Sequence, residues 1–227
     1  AYLANRAHHA EIGGKSPGSM PAFTNSLAEE GVVIPPQFLF AGGESRMDEI
    51  AKLLQSGKYP SRQTAENLAD LSAQVASLRL GVDTIKELIE AYGYCEIMEQ
   101  MNLMSEVSRA SCHKFFQKLG NATIRAEEFL DDGDRLSLRL KIKSGRAEFD
   151  FSGTSPVRSD SLNATLAIVT SAVCYSLRVL IGRELPLNEG LLEPVEILVP
   201  EGSLLNPTFS NNLSDCPGVA GGNVEIS

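Results

Sequence analysis

The sequence predicts an α+β fold in which mixed sheets and a β-hairpin accompany a helical insertion. Three observations carry this prediction. Apolar residues recur at spacings of three and four between 45 and 120, they alternate with charged residues soon after 121, and helical and extended patterns follow each other again after 165. We therefore divide the chain into site-bearing strand and loops at 1–44, a helical subregion at 45–120, and an α/β portion of the same domain at 121–227.

The first of these segments is predicted to be a short strand followed by loops. The stretch AYLANRA, residues 1–7, sets two large apolar side chains among small ones, which is typical of a short buried strand. Glycine and proline leave no room for a regular element at 12–26. The β-branched run in EEGVVIPP stops at Pro35 and Pro36, which favours an extended edge segment.

The second segment is predicted to be helical throughout. Glycines act as stops after several apolar patterns, and the short glycine-containing joints between them favour antiparallel helical hairpins. The patterns cover residues 45–57, 64–81, 83–93 and 96–119.

The third segment begins with a period of two. ATIRAEEFL and RLSLRLKIK alternate leucine and isoleucine with charged residues, and the Ser144-Gly145 pair predicts a turn into the return strand AEFDFSG. We expect a β-hairpin with one solvated face. The acidic residues of LDDGDR, 130–135, are predicted to lie in solvent at a turn.

An apolar helix at 165–181, ended by Gly182, is hydrophobic all round and is expected to be buried on most sides. A strand follows at 193–199.

Composition excludes several classes of function. The formal net charge is -9, the calculated pI is about 4.9, and the lysines and arginines are scattered along the chain. These features argue against a protein that binds the phosphate backbone of nucleic acids. The apolar stretch 166–181 is too short to span a bilayer. Four cysteines lie far apart without a paired spacing, which is typical of reduced thiols in an intracellular protein and predicts a cytoplasmic location. The chain starts without methionine, so we expect a fragment of a longer protein.

Two of the three histidines are adjacent, at His8 and His9, and Glu11 follows closely. Imidazole and carboxylate suit Zn²⁺, Mn²⁺ or Fe²⁺, but a metal site needs at least three converging ligands. On a strand, neighbouring side chains point to opposite faces, so only one histidine shares a face with Glu11 unless the backbone turns. The Gly13-Gly14 pair favours such a turn. The alternative is two histidines hydrogen-bonded to backbone near a strand end.

A second group of polar residues follows the predicted hairpin. DFSGTSP places a carboxylate and hydroxyls at the edge of the sheet, and the later GGNVEIS combines two glycines that permit close backbone approach with an amide side chain. We predict that this rim binds substrate. The alternative is that such a rim caps the next helix. The predicted substrate-binding residues are Asp150, Ser152, Thr154, Asn163 and Asn223.

Six stretches in the same order resemble the B-type subunit of the hydantoinase/oxoprolinase family, which also includes subunits of acetone and acetophenone carboxylases. The resemblance covers almost the whole chain and is weaker at 45–119. The stretches are RAHHAEIGGKSPGSMP, EEGVVIPP, EEFLDDGD, DFSGTSP, LNEGLLEPVEILVPEGSLLNP and GGNVEIS.

The resemblance implies an ATP-dependent hydrolase that opens a cyclic amide, 5-oxoproline or a hydantoin, with metal assistance. An A-type subunit or domain would bind ATP and Mg, and the B-type subunit would hold a divalent metal, Mn, Zn or Fe. In the family, the first histidine of an A-H-H-A-D stretch is a ligand together with an upstream H-x-x-D element, which makes His8 the metal ligand here. Glu11 stands where the family usually has Asp. Glu11 and His9 are the residues expected to be catalytic, and Glu11 is either a ligand itself or the partner of one.

Two other functions remain open at this point. The carboxylases in the family imply an ATP-dependent ketone carboxylase as the nearest alternative. The other is a non-catalytic assembly module or inactive fragment that kept the fold without the site. In every case we expect a hetero-oligomer with an A-type partner and a small-molecule substrate, with neither nucleic acid nor membrane as a partner.

Overall fold

The structure is a computed structural model and describes residues 2–18, 21, 23–182 and 184–225, with the side chains of 224 and 225 left out. The chain forms two compact units. Unit 1 contains the described residues of Ala1–Gly93, Ser159–Leu162 and Phe209–Gly221, and unit 2 contains those of Tyr94–Arg158, Asn163–Thr208 and Gly222–Ser227.

Unit 1 is built around two helices. A ribbon of two short antiparallel strands, β1 (Phe40–Ala41) and β2 (Glu44–Ser45), leads into α1 (Met47–Leu54), and the long helix α2 (Thr64–Tyr92) follows. In α1 the apolar residues at a spacing of four, Ile50 and Leu54, are fully buried. Single 3₁₀ turns lie at Leu27–Glu29 and Leu213–Asp215.

Helix α2 is continuous through Gly81, so the predicted break between two helices at this position, and the hairpin it implied, are wrong. A glycine inside a helix costs only about 1 kcal/mol relative to alanine, which the 29 residues of α2 can absorb. Gly81 also has a packing role, because a Cβ there would lie 3.2 Å from Leu3 Cδ1. The helix does end at Gly93, as predicted, where φ is +88°.

The predicted buried strand at 1–7 is also wrong for its described residues, since Ala1 lies outside them. Residues 2–9 pair with no strand, and Tyr2 is fully exposed. The extended run that ends at Pro35 makes one bond of the strand type, from Val32 N to Ile12 O at 2.9 Å.

Unit 2 is a mixed four-stranded sheet with helices. In chain order it contains α3 (Tyr94–Leu119), β3 (Ala122–Phe129), β4 (Arg135–Lys143), β5 (Arg146–Asp150), α4 (Leu166–Ile181), β6 (Val195–Leu198) and the short α5 (Gly222–Glu225). The strand order is β3-β4-β5-β6, antiparallel except for the parallel pair β5 and β6. The connection between these parallel strands contains α4, as such a crossover requires. The predicted α+β fold is confirmed.

The alternating pattern of the hairpin decides which face of the sheet is buried. Ile142 and Phe149 point to the same side and pack with Phe116 of α3 and Leu177 of α4 in one apolar core. The predicted turn is present, with Ser144 at φ +52° and the following glycine at φ +76°. This conformation is the hairpin turn that matches strand twist.

Helix α4 is buried on one face only, so its predicted burial on most sides is wrong. Val169, Val173 and Leu177 are nearly inaccessible, whereas Tyr175 is 70% and Leu180 is 64% exposed. The reason is that α4 lies against one side of the unit 2 core, so only the residues at spacings of four that point inward are covered. Among the described residues, none of the helices is both long and apolar enough to cross a bilayer.

The acidic turn between β3 and β4 is exposed at Asp131 and Asp132, as predicted, but two of its acids also form ion pairs that the sequence did not predict. The side chain of Arg158 is only 13% exposed, and it forms ion pairs with Asp132 at 2.5 Å and with Asp134. A largely buried guanidinium needs such counter-charges, because an unpaired buried charge is strongly destabilising. The hydrogen bond from Arg158 holds the pKa of Asp132 below its ordinary value.

The two faces of α4 can be compared by matched truncations. We expect Leu177→Ala to lower the free energy of unfolding by about 2–5 kcal/mol, because it removes a fully buried side chain from the core. Leu180→Ala, three residues along the same helix, should change it by less than about 0.5 kcal/mol. Urea unfolding followed by circular dichroism measures both, and equal losses would contradict the one-sided burial of α4.

Candidate functional site

The histidine segment, residues 3–14, lies in unit 1 against one face of α2. Leu3 reaches Gly81 near the middle of the helix. Two residues later, Asn5 Nδ2 donates to Gln74 O at 2.8 Å and to Ser77 Oγ at 2.6 Å, and Asn5 Oδ1 accepts from Gln74 Nε2 at 3.2 Å. The segment is therefore fixed by side-chain contacts along a helix rather than by a strand ladder.

Later residues of the histidine segment contact earlier residues of α2. His9 Nδ1 lies 3.6 Å from Asp70 Oδ2, and Asn67 Nδ2 donates to Glu11 O at 2.5 Å. The segment therefore runs antiparallel to α2. The side chains that face it come from one stripe at helical spacing: Asn67, Asp70, Gln74 and Ser77, with Gly81 at the far end.

The two histidines point in different directions. The His9 side chain is 16% exposed and faces α2, and its Nδ1 is buried at a distance from Asp70 slightly beyond that of a hydrogen bond. His8 is exposed, and no described residue is hydrogen-bonded to its imidazole. His9 thus packs against the helix while His8 is open to a ligand.

The Glu11 carboxylate is saturated with hydrogen bonds. Its Oε1 accepts from Gly13 N at 2.7 Å and Arg62 Nη1 at 3.0 Å, and its Oε2 accepts from Arg62 N at 3.1 Å and from Ser61 Oγ at 3.0 Å, whose single proton is shared with Asn67 Oδ1 at 2.6 Å. Partial burial raises the pKa of Glu11, but hydrogen bonds from Gly13, Ser61 and Arg62 outweigh burial and hold it below the ordinary value. Since two oxygens offer about four acceptor positions, this carboxylate is a brace between the histidine segment and the turn before α2.

The backbone at Gly13 and Gly14 lies in close contact with the turn at residues 59–62, which also holds the Glu11 carboxylate. Gly13 has φ +91°, and a Cβ on it would lie 2.3 Å from Tyr59 O. Gly14 N donates to that same oxygen at 3.0 Å, and Gly14 O accepts from Arg62 Nη2 at 2.6 Å. The glycine pair therefore lets the histidine segment pass the 59–62 turn at contact distance.

A second glycine-rich loop in unit 1, residues 217–221, is held by a buried carboxylate. Glu30 is 6% exposed and accepts from Val219 N at 2.9 Å, Ala220 N at 3.0 Å and Thr24 Oγ1 at 3.1 Å. Burial raises the pKa of Glu30, and these three donors only partly offset the rise. The predicted close approach is present here too, since a Cβ on Gly221 would lie 3.0 Å from Ser161 Oγ.

These residues could supply only part of the ligand set of a divalent metal ion. Within the described part of the chain, no three His, Cys, Asp or Glu side chains converge on a common point. The exposed imidazole of His8 fits one ligand position, whereas the oxygens of Glu11 are occupied and His9 is turned toward Asp70. The described residues therefore fit one ligand of a metal ion and not the set of three that a site requires.

Two of the predicted substrate-binding residues line one open cleft in unit 2. This cleft has a volume of about 810 Å³ and lies on the polar face of β3, β4 and β5. Asp150, 5% exposed, accepts from Ser152 N at 2.8 Å and Arg139 Nη2 at 2.5 Å. Bonds from Ser152 and then from Arg139 hold the pKa of Asp150 below its ordinary value. Arg125, directly opposite Arg139 in the sheet, adds a second guanidinium to the lining.

The other three predicted residues serve the fold of unit 2. Thr154 Oγ1 bonds to the backbone of Ser137, and Asn163, fully buried, exchanges two hydrogen bonds with the backbone of Arg158. Asn223 Oδ1 accepts from the backbone N–H of Thr165, the residue before α4, at 3.3 Å. These contacts match the alternative of hydroxyl and amide groups that cap and fasten neighbouring elements.

Sequence reasoning missed the residues that position the site. Ser61, Arg62 and Asp70 were not singled out, nor were Arg125 and Arg139 in the cleft. One signal was available, because the polar stripe of α2 has the spacing of a helix face and stands where an amphipathic helix usually presents apolar residues.

Comparison with known proteins identifies the relatives of the chain. The family model for hydantoinase B/oxoprolinase matches residues 1–227, which confirms the resemblance deduced from the six stretches. 5-Oxoprolinase 1 of Arabidopsis thaliana is 39% identical over 250 residues, covering all of this chain and 19% of that protein. The 5-oxoprolinase of Saccharomyces cerevisiae is 38% identical over 238 residues, covering all of this chain and 18% of that protein. The chain thus spans about a fifth of the length of these relatives.

Two solved structures share the fold. The ATP-dependent caprolactamase from Pseudomonas jessenii superimposes with a TM-score of 0.76 at 23% identity, covering 94% of this chain and 36% of that chain. A nucleotide-free acetone carboxylase gives a TM-score of 0.75 at 17% identity, covering 96% of this chain and 30% of that one.

The brace at Glu11 predicts a specific pH dependence. Because the pKa of Glu11 is lowered in the fold, its stabilising contribution is fully present above the ordinary value of 4.5 and is lost as pH falls through the lowered value. Glu11→Gln places an NH₂ group among donors, so we expect a loss of about 1–3 kcal/mol in the free energy of unfolding at pH 7. The difference from the wild type should shrink toward pH 3, as measured by urea titration.

The matched control for this prediction is Glu49→Gln, an exposed glutamate of α1 that also contacts an arginine. Its free energy of unfolding should stay within about 0.5 kcal/mol of the wild type at both pH values. A Glu11→Gln variant that behaves like this control would show that the carboxylate does not brace the segment.

The close approach at Gly13 gives a second test. Gly18→Ala introduces a side chain at φ +85° with nothing within 4 Å, so it should lower the free energy of unfolding by about 1–2 kcal/mol through backbone strain alone. Gly13→Ala adds a collision with Tyr59 O and should lower it by about 2–5 kcal/mol. Thermal unfolding by calorimetry compares the two variants. Equal losses would mean that the approach to Tyr59 is not tight in solution.

Proposed function

Because the chain belongs to the hydantoinase B/oxoprolinase family, we propose that it is the B-type portion of an ATP-dependent hydrolase that opens a cyclic amide, 5-oxoproline or a hydantoin. The observation that carries this proposal is the likeness of the whole chain to proteins named 5-oxoprolinase, at 39% and 38% identity. Since the chain spans about a fifth of those proteins, we assign ATP and Mg to an A-type partner subunit or domain. The predicted hetero-oligomer and cytoplasmic location belong to the same proposal.

In this proposal the imidazole of His8 is one ligand of a divalent metal ion, Mn, Zn or Fe. Its imidazole is exposed, and the backbone three residues later is held by the hydrogen bonds of Glu11, so the ring is accessible to an ion beside a fixed stretch of chain. When bound, such an ion polarises a carbonyl oxygen or lowers the pKa of a water molecule. The remaining ligands would come from outside the described residues.

His9 is proposed as the proton-transferring group. Its Nδ1 faces the Asp70 carboxylate at 3.6 Å, which favours the tautomer with the proton on that nitrogen. The other ring nitrogen then keeps its lone pair, as a general base needs. For Glu11, the saturated carboxylate supports a positioning role in place of the catalytic one that was predicted.

Substrate contact is proposed for the cleft of unit 2. Ser152 offers a hydroxyl, and Arg125 offers a guanidinium that suits a carboxylate such as that of 5-oxoproline. Asp150 holds Arg139 and the backbone of Ser152 in place and so shapes the lining. Contact between substrate and Thr154, Asn163 or Asn223 stays a prediction from sequence, and their hydrogen bonds within the fold make them weaker candidates.

An ATP-dependent ketone carboxylase is the second candidate, favoured by the superposition on acetone carboxylase. To decide between them, the full-length protein is combined with an A-type partner and ATP. We expect ADP and the ring-opened acid to form with 5-oxoproline or a hydantoin, and neither product to form if either component is left out. ADP release that instead requires a ketone and bicarbonate would establish the carboxylase and overturn the hydrolase.

The role of His8 is tested by substitution in the same full-length protein. We expect His8→Ala to lower kcat/KM by about 100-fold or more and to remove the bound metal, as measured by elemental analysis. His113→Ala, on α3, should leave both the activity and the metal content unchanged. Metal absent from both the wild type and the variant would support the non-catalytic assembly module, and metal retained at full occupancy in His8→Ala would exclude His8 as a ligand.

A further inference from the structure

The first strand of the unit 2 sheet is an open edge. β3 has β4 on one side and no neighbouring strand on the other among the described residues. Seven of its eight residues are exposed, including the apolar Ile124 at 52% and Phe129 at 62%. Natural proteins usually shorten, bend or cover such an edge, because its unpaired backbone groups are ready to pair with another strand. Within the described residues β3 is neither short nor covered by another strand, and the charges of Arg125 and Glu127 are of opposite sign, so they do not repel a second copy of the same strand.

The pairing with β4 shows which backbone groups are available. Leu130 N donates to Asp134 O at 2.8 Å, and the register continues with Phe129 opposite Arg135. In an antiparallel pair, hydrogen-bonded positions alternate, so the even-numbered residues of β3 bond to β4. The odd-numbered residues of β3 therefore direct both N–H and C=O outward, away from β4. These residues are Thr123, Arg125, Glu127 and Phe129.

The outward-bonding residues form a self-complementary sequence. If a second β3 runs antiparallel to the first with Ala126 at the centre, Arg125 lies opposite the partner's Glu127 and Glu127 lies opposite the partner's Arg125. Thr123 and Phe129 pair in the same way. All four positions are of the hydrogen-bonding type, so register and charge agree. The small side chain of Ala126 suits the closely spaced central pair.

We propose that β3 is a dimerisation edge, at which two copies of this chain join their sheets across a two-fold axis through Ala126. The four strands of each copy then form one continuous sheet. An interface of this kind is isologous, with the same surface used by both copies, and it closes without a free β3 edge. This inference shares Arg125 with the cleft proposed to bind substrate, where its guanidinium would serve both the partner's Glu127 and the substrate, so its test measures association and not activity.

The charges on neighbouring strands support the same partner. Arg125 lies directly opposite Arg139 of β4, a like-charge pair that is destabilising by itself. Arg139 is neutralised by Asp150 at 2.5 Å, whereas Arg125 makes no ion pair with any described residue. The partner's Glu127 would supply the missing counter-charge. Glu127 forms an exposed ion pair with Arg135 at 3.3 Å on the same face of the sheet. In the dimer the Arg125 of the other copy would join this pair, and the three charges would form a network.

The experiment is a charge exchange measured by analytical ultracentrifugation of the full chain over a range of concentrations. We expect a reversible dimer. Arg125→Glu and Glu127→Arg should each weaken dimerisation about tenfold, because two cross-strand pairs per dimer change from attraction to repulsion. The double variant R125E/E127R restores both pairs with their charges exchanged and should return the dissociation constant to within about threefold of the wild type.

Two further variants control for other causes. Arg109→Glu reverses an exposed charge on α3 of the same unit and should leave dimerisation unchanged. Thr123→Pro removes an outward N–H without removing a bond to β4 and should weaken dimerisation at least tenfold. Arg125→Glu also replaces the like-charge pair with Arg139, so a loss of dimer cannot be ascribed to a less stable hairpin.

Three results would overturn the proposal. A chain that stays monomeric at all concentrations would leave the β3 edge to some other partner, such as a strand elsewhere in a longer polypeptide or an A-type subunit. A dimer that is insensitive to both single reversals must use another surface. A double variant as weak as the single variants would exclude this register. If Thr123→Pro does not fold, the comparison of single and double charge variants still decides the question.

Discussion

Four hydrogen bonds to the Glu11 carboxylate hold the histidine segment where it can act. Without them the segment would be tied to α2 by Leu3, Asn5 and Asn67 and by the loose approach of His9 to Asp70. Apart from Asn67, which is 3% exposed, those contacts involve residues that are at least partly exposed, and each such contact contributes little in water. The brace differs because one charged group satisfies a backbone N–H within the segment and three donors of the 61–62 turn at once. The direction of His8 follows from it.

Two carboxylates of unit 1, one partly and one almost fully buried, show that either burial or hydrogen bonding can determine the direction of a pKa shift. Glu11 and Glu30 each hold a glycine-containing loop through backbone N–H groups. Glu11 also has a guanidinium beside it and remains partly open to solvent, so hydrogen bonds win and its pKa falls. Glu30 has only neutral donors and is almost inaccessible, so burial wins and its pKa rises. Ionisation of Glu11 therefore stabilises the folded state, whereas ionisation of Glu30 destabilises it.

Local patterns predicted unit 2 better than unit 1. In unit 2 the period-two alternation, the Ser144-Gly145 turn and the glycine stop of α4 are all set by neighbours in sequence, and each is present. Local sequence patterns do not predict which faces of a helix are covered by the rest of the fold, as the exposed side of α4 shows. The position of Arg158 between two aspartates 24 and 26 residues away is likewise a tertiary fact. Asn163 illustrates the same limit, since an amide in a polar loop gives no sign of whether it will face a ligand or its own backbone.

Two predictions for unit 1 were wrong, the strand at 1–7 and the helix break at Gly81, and the two places are in contact. The AYLANRA stretch has the composition of a strand, but a strand needs a partner, and its neighbour in the fold is a helix. The polar stripe of α2 and Gly81 together create a groove that an extended segment can occupy through side-chain contacts. His8 is exposed there while His9 is mostly covered by α2, a difference that opposite directions on an extended chain would produce without a sheet.

The same geometry explains how glutamate can stand where the family usually has aspartate. Glu11 accepts from the backbone N–H two residues ahead, at Gly13, a bond that aspartate also makes readily in turns. The extra methylene allows the second oxygen to reach Ser61 and the backbone of Arg62 without moving the glycine pair. A residue acting directly on substrate would tolerate such a lengthening poorly, because reacting atoms must be placed within a fraction of an ångström. A brace tolerates it, provided that the facing turn adjusts, and the contacts of Glu11 are those of a brace.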